Sequence, residues 1–307
     1  MCVLVVGSVA IDSVETPFGK AESVLGGSAV YFSLAASLFG PVRLVGVVGE
    51  DFPKEYREVF RARPIDAEGL VVAAGKTFRW SGRYRGQMSE AETREVQLNV
   101  FEDFAPEIPD SYRDTPFVFL ANGSPHTQLS VLRQVPGARF IMADTMDLWI
   151  NTQRDALIEL MARVDALVLN DGEARRLTGE ANLLKAARWV CGHGPRCCII
   201  KKAEHGALLV TAQDVFALPA FPTELVVEPT GAGDSFAGGM MGYVAAGGGN
   251  PTYEALQTAL AWGTVTASFT IEGFGTSSLH TLTRSLLEER LREFKRLTQL
   301  PQEHSPL

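Results

Sequence analysis

Residues 224–239 read Glu224-Leu225-Val226-Val227-Glu228-Pro229-Thr230-Gly231-Ala232-Gly233-Asp234-Ser235-Phe236-Ala237-Gly238-Gly239. The β-branched run predicts a strand over residues 224–227, the glycines a tight turn, and the small and apolar residues after them a helix over residues 234–245. At such a junction the free N–H groups of the first helical turn and the positive end of the helix dipole converge on one point, which suits phosphate. Gly231 and Gly233 permit positive φ and close backbone approach, with Ala232 between them completing an amide nest. Asp234 does not fit a pure phosphate cradle, because its carboxylate would repel the ligand. It fits a general base that takes the proton of an attacking hydroxyl while the amides hold the growing phosphoryl charge. Read alone, Asp234 is equally an ordinary helix N-cap.

Outward from this segment, short β-branched runs alternate with stretches of helical period, the pattern of an α/β fold with a mostly parallel sheet covered on both faces. Strands are predicted at residues 2–6, 42–48, 117–121, 139–143, 166–170 and 197–201, with helices at 28–39, 128–134, 153–164, 181–190 and 285–297. A single domain is expected over residues 1–300, followed by a tail at 301–307. Two segments break the rhythm, at about 13–24 and 75–108, and read as a small β lid. Within it, alternation sets Phe78, Trp80 and Tyr84 on one face and Arg79, Arg83 and Arg85 on the other. An exposed edge strand there invites a second copy of the chain, so a homodimer through the lid is an expectation.

The 307 residues are 46% hydrophobic and 21% charged, enough for a sizeable core and far from the composition of a disordered chain. A formal net charge of -8 offers no diffuse positive field for nucleic acid or an anionic membrane. A small-molecule ligand is expected instead. The four cysteines, Cys2, Cys191, Cys197 and Cys198, are too few and too clustered for a disulfide framework, which predicts a reducing, cytoplasmic setting. Cys197-Cys198-Ile199-Ile200 reads as a buried strand rather than as part of a metal site with His193. The N-terminus lacks a basic leader pattern, and no apolar run reaches spanning length.

Other nucleotide loops fail on spacing. The dinucleotide fingerprint needs a third glycine where Phe236 stands, and the Walker-like Gly75-Lys76-Thr77 has Leu70 where the first glycine belongs.

Pro229-Thr230-Gly231-Ala232-Gly233-Asp234-Ser235-Phe236 closely resembles the C-terminal signature of the ribokinase-like, or PfkB, carbohydrate kinases. Further segments match in order: Gly7-Ser8-Val9-Ala10-Ile11-Asp12, Gly26-Gly27-Ser28-Ala29, Val45-Gly46-Val47-Val48-Gly49-Glu50-Asp51 and Asn170-Asp171-Gly172-Glu173. The resemblance spans about residues 3–280. It implies a three-layer sandwich with a β lid, and transfer of phosphate from ATP to a hydroxyl, with Asp234 as base and the amides of Gly231, Ala232 and Gly233 as anion hole. It also implies that Asn170 and Glu173 hold Mg2+, mainly through water. Their own residue types serve equally well as a helix cap.

By the same resemblance, Lys201, Gly206 and Trp262 would border the nucleotide, and Asp12, Gly26, Gly27, Tyr31 and Asn122 the acceptor. Lys201 replaces the usual small hydroxyl residue, and Tyr31 stands where ribose- or nucleoside-directed relatives usually carry Asn. The segment Asp144-Thr145-Met146-Asp147-Leu148-Trp149 lacks the arginine of the usual Asp-x-Asn-x-Arg. Glu228 falls where relatives use Asp beside a monovalent cation, so K+ is an expected activator. The expected acceptor is a sugar or sugar-like polyol, a nucleoside standing second. A relative that kept the fold and binds ligand without catalysis is the competing class. An oxidoreductase fails on the missing third glycine.

Overall fold

The structure is a computed structural model in which residues 1–299 are described, apart from Gln87, Ser89 and Glu90. The predicted tail at 301–307 lies outside the described residues. The first half of the chain forms β1 (Val3–Val6), β2 (Ala10–Thr16), β3 (Gly19–Gly26), α1 (Ser28–Ala36), β4 (Val42–Gly49), α2 (Lys54–Arg61), β5 (Ile65–Ala73), β6 (Phe78–Tyr84) and β7 (Ala91–Gln97). The middle adds β8 (Phe117–Leu120), α3 (Pro125–Leu132), β9 (Phe140–Asp144), α4 (Asp147–Thr152), α5 (Arg154–Met161), β10 (Ala166–Asn170), α6 (Asp171–Thr178) and α7 (Leu183–Cys191). The last third holds β11 (Cys197–Lys201), β12 (Ala207–Thr211), β13 (Val215–Leu218), α8 (Ala232–Gly247), α9 (Tyr253–Thr270), α10 (Ser277–Thr281) and α11 (Arg284–Thr298).

Nine strands make the main sheet in the order β13-β12-β11-β10-β9-β8-β1-β4-β5, with β12 alone running against the rest. Alternation along each strand feeds two cores. Val3, Val5, Phe117, Phe119, Cys197 and Ile199 face one, with α1, α8 and α9. Leu4, Val6, Val118, Leu120, Cys198 and Ile200 face the other, with α3, α5 and α7. Helix, sheet and helix layers follow, as expected. Cys197 and Cys198 are 1% and 0% exposed and pack as small hydrophobes.

From β1 the chain builds outward through β4 and β5, then returns to the other side of β1 for β8, β9, β10 and β11. The order reverses at β1, and in such sheets ligands bind beyond the carboxyl ends of the strands at that switch point. Asp144, Asn170 and Lys201 end β9, β10 and β11, all at that edge.

The four remaining strands form the lid sheet, ordered β3-β2-β6-β7. β2 and β6 run parallel, with Asp12 opposite Trp80 and Val14 opposite Gly82. Some elements depart from the sequence reading, among them the unpredicted α2, β12 and β13. Residues 224–227 are not a strand: the Val227 and Glu228 N–H groups donate to the Ile271 carbonyl, at 2.7 and 3.2 Å, and Leu225 is 54% exposed. β5 was not anticipated, because its edge position leaves Val71 and Val72 half exposed and breaks the usual alternation. Among the described residues no helix is long and apolar enough to cross a membrane.

Candidate active site

Gly231 caps α8 with φ +75°, and a Cβ there would collide with the ring of Tyr31. A residue with a side chain would therefore suffer both strain and overlap at this turn. The Ala232 N–H donates to the Pro229 carbonyl at 3.1 Å, which leaves the flanking glycine amides as the freer donors of the nest. Asp234 lies in the first turn of α8 and is partly exposed. Burial pushes its carboxyl up to about 7, the Asp144 carboxylate adds to this, and the Lys201 ammonium pulls it back. A carboxyl poised there is matched to proton abstraction near neutrality.

Lys201 reaches from the end of β11 to Asp144, Nζ to Oδ2 at 3.4 Å. Asp144 is 5% exposed and was noted in the sequence only as a departure from a pattern. No periodicity marks it, because only the packing of β9 beside β10 brings it to the lysine. Asn170 and Glu173 form a reciprocal capping box on α6: Glu173 N–H donates to Asn170 Oδ1, and Asn170 N–H to Glu173 Oε2, both at 2.7 Å. Glu173 is 8% exposed, and burial followed by the Asp144 carboxylate raises its pKa. The cap thus occupies one oxygen of Glu173. Asp144, Glu173 and Asp234 set three carboxylates against one ammonium, a surplus of negative charge that fits a hydrated divalent cation. The described residues hold no group of three or more His, Cys, Asp or Glu side chains that could grip a metal directly, so water would have to complete its coordination.

On the acceptor side, Asp12 is 4% exposed and its Oδ1 has no hydrogen-bond partner among the described residues. Burial, then the Glu228 carboxylate, pushes its pKa up to about 8, against the Gly27 amide that stabilises the anion. Its carboxylate occupies the space a side chain on Gly26 would need. Gly27 has φ +98°, and a Cβ would come within 2.5 Å of the Ser8 carbonyl oxygen. The glycine pair thus lets the start of α1 close over β2. Tyr31 is 1% exposed with its ring under Gly231, and its phenol is raised by burial and by the Glu228, Asp12 and Asp234 carboxylates. It forms the floor of the site rather than a wall open to ligand. Asn122, just beyond β8, has both ends of its amide engaged, by Met146 Sδ and Trp149 Nε1, each at 3.1 Å.

The lid presents its aromatic face to this cleft. Tyr84 shares a hydrogen bond with Thr230 at 3.2 Å, tying the lid to the nest. Trp80 leans along its strand onto Gly82, where a Cβ would overlap the indole, and its Nε1 donates to Thr93 at 3.3 Å. The arginines of the opposite face are neutralised within the chain: Arg79 by Asp51, Arg83 by Glu15 and Arg85 by Glu92. Phe78 stacks on Phe101, a second aromatic contact that no alternation signalled because Phe101 comes from a 3-10 turn.

Three further residues named from the sequence have structural partners of their own. Trp262 is 6% exposed and packs against Phe39 and Tyr243 beneath the Arg284 guanidinium; a large amphipathic ring on a helix found its partners in the core. Gly206 is the turn into β12, with φ +81° and no room for a side chain beside Leu218 and Pro219. Glu228 is fully buried, and each of its oxygens accepts a backbone N–H, from Thr230 at 2.5 Å and from Gly275 at 3.0 Å. It braces the loop before the nest.

The chain is similar to several known kinases. The cytidine kinase of Thermococcus kodakarensis is 32% identical over 244 residues, covering 78% of this chain and 86% of that protein. A nucleoside kinase of Methanothermobacter thermautotrophicus is 26% identical over 275 residues, covering 86% and 84%. Among solved structures, the Methanocaldococcus jannaschii nucleoside kinase superposes with a TM-score of 0.76 at 20% identity, covering 95% and 98% of the two chains. A putative ribokinase II from E. coli, solved in complex with ATP and Mg2+, gives 0.78 at 18% identity, covering 95% and 99%. The family profile of the pfkB carbohydrate kinases matches residues 3–282, and with the glycine nest, its aspartate and the lid in place, this chain belongs to that family.

Proposed function

We propose that this protein is an ATP-dependent nucleoside kinase. The observation that carries the reading is the alignment of Asp12 with Trp80 on the inner face of the lid. A buried carboxylate oxygen without a partner costs about 1–3 kcal/mol, which a sugar hydroxyl would recover by donating to it. The neighbouring indole would offer a face on which a base can stack. A nucleoside carries hydroxyls and a base at this spacing, whereas a free sugar leaves the indole unused. With the lid arginines already paired, no strong anion recognition competes. The names of the relatives support the same choice over the sugar or polyol that the sequence favoured.

In this reading the acceptor hydroxyl lies between Asp12 and Asp234. Asp234 takes its proton, and the glycine amides at the start of α8 hold the charge that grows on the phosphoryl group. Asn170 and Glu173 would hold magnesium through water, which would neutralise phosphate charge. The lid, tied by Tyr84 to Thr230, would exclude water that competes for the phosphoryl group.

The test is an acceptor screen by ATP consumption, with nucleosides and free sugars in parallel. Turnover of nucleosides, pyrimidine nucleosides among them, is expected. Turnover of free sugars alone would overturn the reading, and ATP binding without turnover on any acceptor would favour a non-catalytic relative.

A further inference from the structure

Lys201 has a relation to the nest that a tether for the nucleotide does not require. It is paired in the β10–β11 register with Asn170, and its side chain is 19% exposed. Its ammonium carries three donors, yet among the described residues it has one hydrogen-bond acceptor, Asp144 Oδ2 at 3.4 Å. That contact is loose beside the 2.7–2.9 Å usual for charge-assisted bonds. On its other side Nζ lies against the nest: a Cβ on Gly233 would come within 2.9 Å of it. The charge is secure. Burial opposes it, but Asp144 on β9, Glu173 on α6 and Asp234 on α8 together hold the ammonium above the ordinary lysine range.

The nest itself is short of donors, because the Ala232 N–H is bonded to Pro229. A firmly charged ammonium, weakly parked at the rim of an incomplete anion hole, is arranged to complete it.

We propose that Lys201 is a catalytic residue that leaves Asp144 for the transferring phosphoryl group. This rests on the kinase reading above but not on the identity of the acceptor. In the step, the acceptor oxygen forms a bond to the γ-phosphorus of the nucleoside triphosphate. The bond from that phosphorus to the bridging oxygen breaks, and its electron pair leaves with the nucleoside diphosphate. The hydroxyl proton goes to Asp234. Lys201 keeps its proton throughout and neutralises charge on the equatorial oxygens. Asp144 is a positioning residue that holds the ammonium between turnovers.

The experiment compares wild type with Lys201→Met, Lys201→Arg and, as a control on the same strand end, Lys202→Met. In Lys201→Met, kcat is expected to fall by roughly 10²–10³-fold, the scale for losing one donor of an oxyanion hole, with KM for ATP little changed. Lys201→Arg should recover part of the loss, and Lys202→Met should behave as wild type. A second arm needs no turnover: aluminium fluoride, a mimic of the transferring phosphoryl group, should tighten binding of ADP with magnesium and a nucleoside in wild type but not in Lys201→Met. Should Lys201→Met fold poorly around an unpaired Asp144, the double variant Lys201→Met/Asp144→Asn serves in both arms. Unchanged kcat with unchanged tightening would overturn the proposal, as would a raised KM for ATP at wild-type kcat. If wild type turned over no acceptor, the kinase reading would fall, while the aluminium fluoride arm would still decide the role of Lys201.

Discussion

The two ends of the cleft are built on opposite principles. At the α8 end, the groups come from the rigid carboxyl ends of β9 and β11 and from the N-termini of α6 and α8, and they are ionisable: Asp144, Lys201, Glu173 and Asp234. At the lid end, one carboxylate, Asp12, stands among aromatic rings on a small separate sheet. The first end suits chemistry common to phosphoryl transfers, the second the shape of one acceptor class. The difference teaches that catalysis and specificity occupy different layers of this molecule, joined at the Tyr84–Thr230 contact.

The division can be tested by how losses distribute. The largest effect should come from the chemical end. Asp234→Asn removes the base and should lower kcat by about 10²–10⁴-fold, with ATP affinity and melting temperature retained. A comparable loss of kcat on altering the lid would break the division.

At the lid, Trp80→Ala should act on the acceptor alone. Losing a stacking face worth ~1–3 kcal/mol per base should raise KM for a nucleoside about tenfold or more, leaving KM for ATP and kcat near wild type. Trp80→Phe should keep most of the affinity. Equal effects on nucleosides and free sugars would show that the indole does not read a base.

The smallest effect is on stability, and both ends contribute. Asp12 and Asp234 are held near 8 and 7 by burial and by neighbouring carboxylates. Unfolded carboxyls titrate at about 4. Between those values the folded state binds more protons than the unfolded one, so stability is fully present below about pH 4 as far as these groups go, and is lost as pH rises through 7 and 8. The melting temperature should therefore decline by a few degrees, about the shift expected for ~1 kcal/mol, from pH 5.5 to 8.5. Asp12→Asn should flatten the decline. A melting temperature that rises over this range would show that these carboxyls are not held neutral.

How much of this was legible in the sequence depended on whether a group's partners are local. The nest was legible because two glycines and a helix start lie within a few residues, and positive φ at Gly231 follows from residue type. The Asn170–Glu173 cap was legible for the same reason, at a spacing of three residues. Trp262 was not: a buried tryptophan and one that borders a ligand have the same helical spacing, and the surroundings of Phe39, Tyr243 and Arg284 decide between them. Glu228 looked like a charge on offer until Gly275, far along the chain, took one of its oxygens.

By itself the sequence determined the α/β class, the lid's two-faced ribbon and the glycine turn that opens α8, since each follows from periodicity or from residue types a few positions apart. Only the tertiary structure decided which lid face turns inward, that Asp144 meets Lys201, and that Asp12 keeps an unpartnered oxygen beside Trp80. Those are contacts between strands far apart in the chain, and their energy comes from burial and charge neutralisation, which no local pattern records.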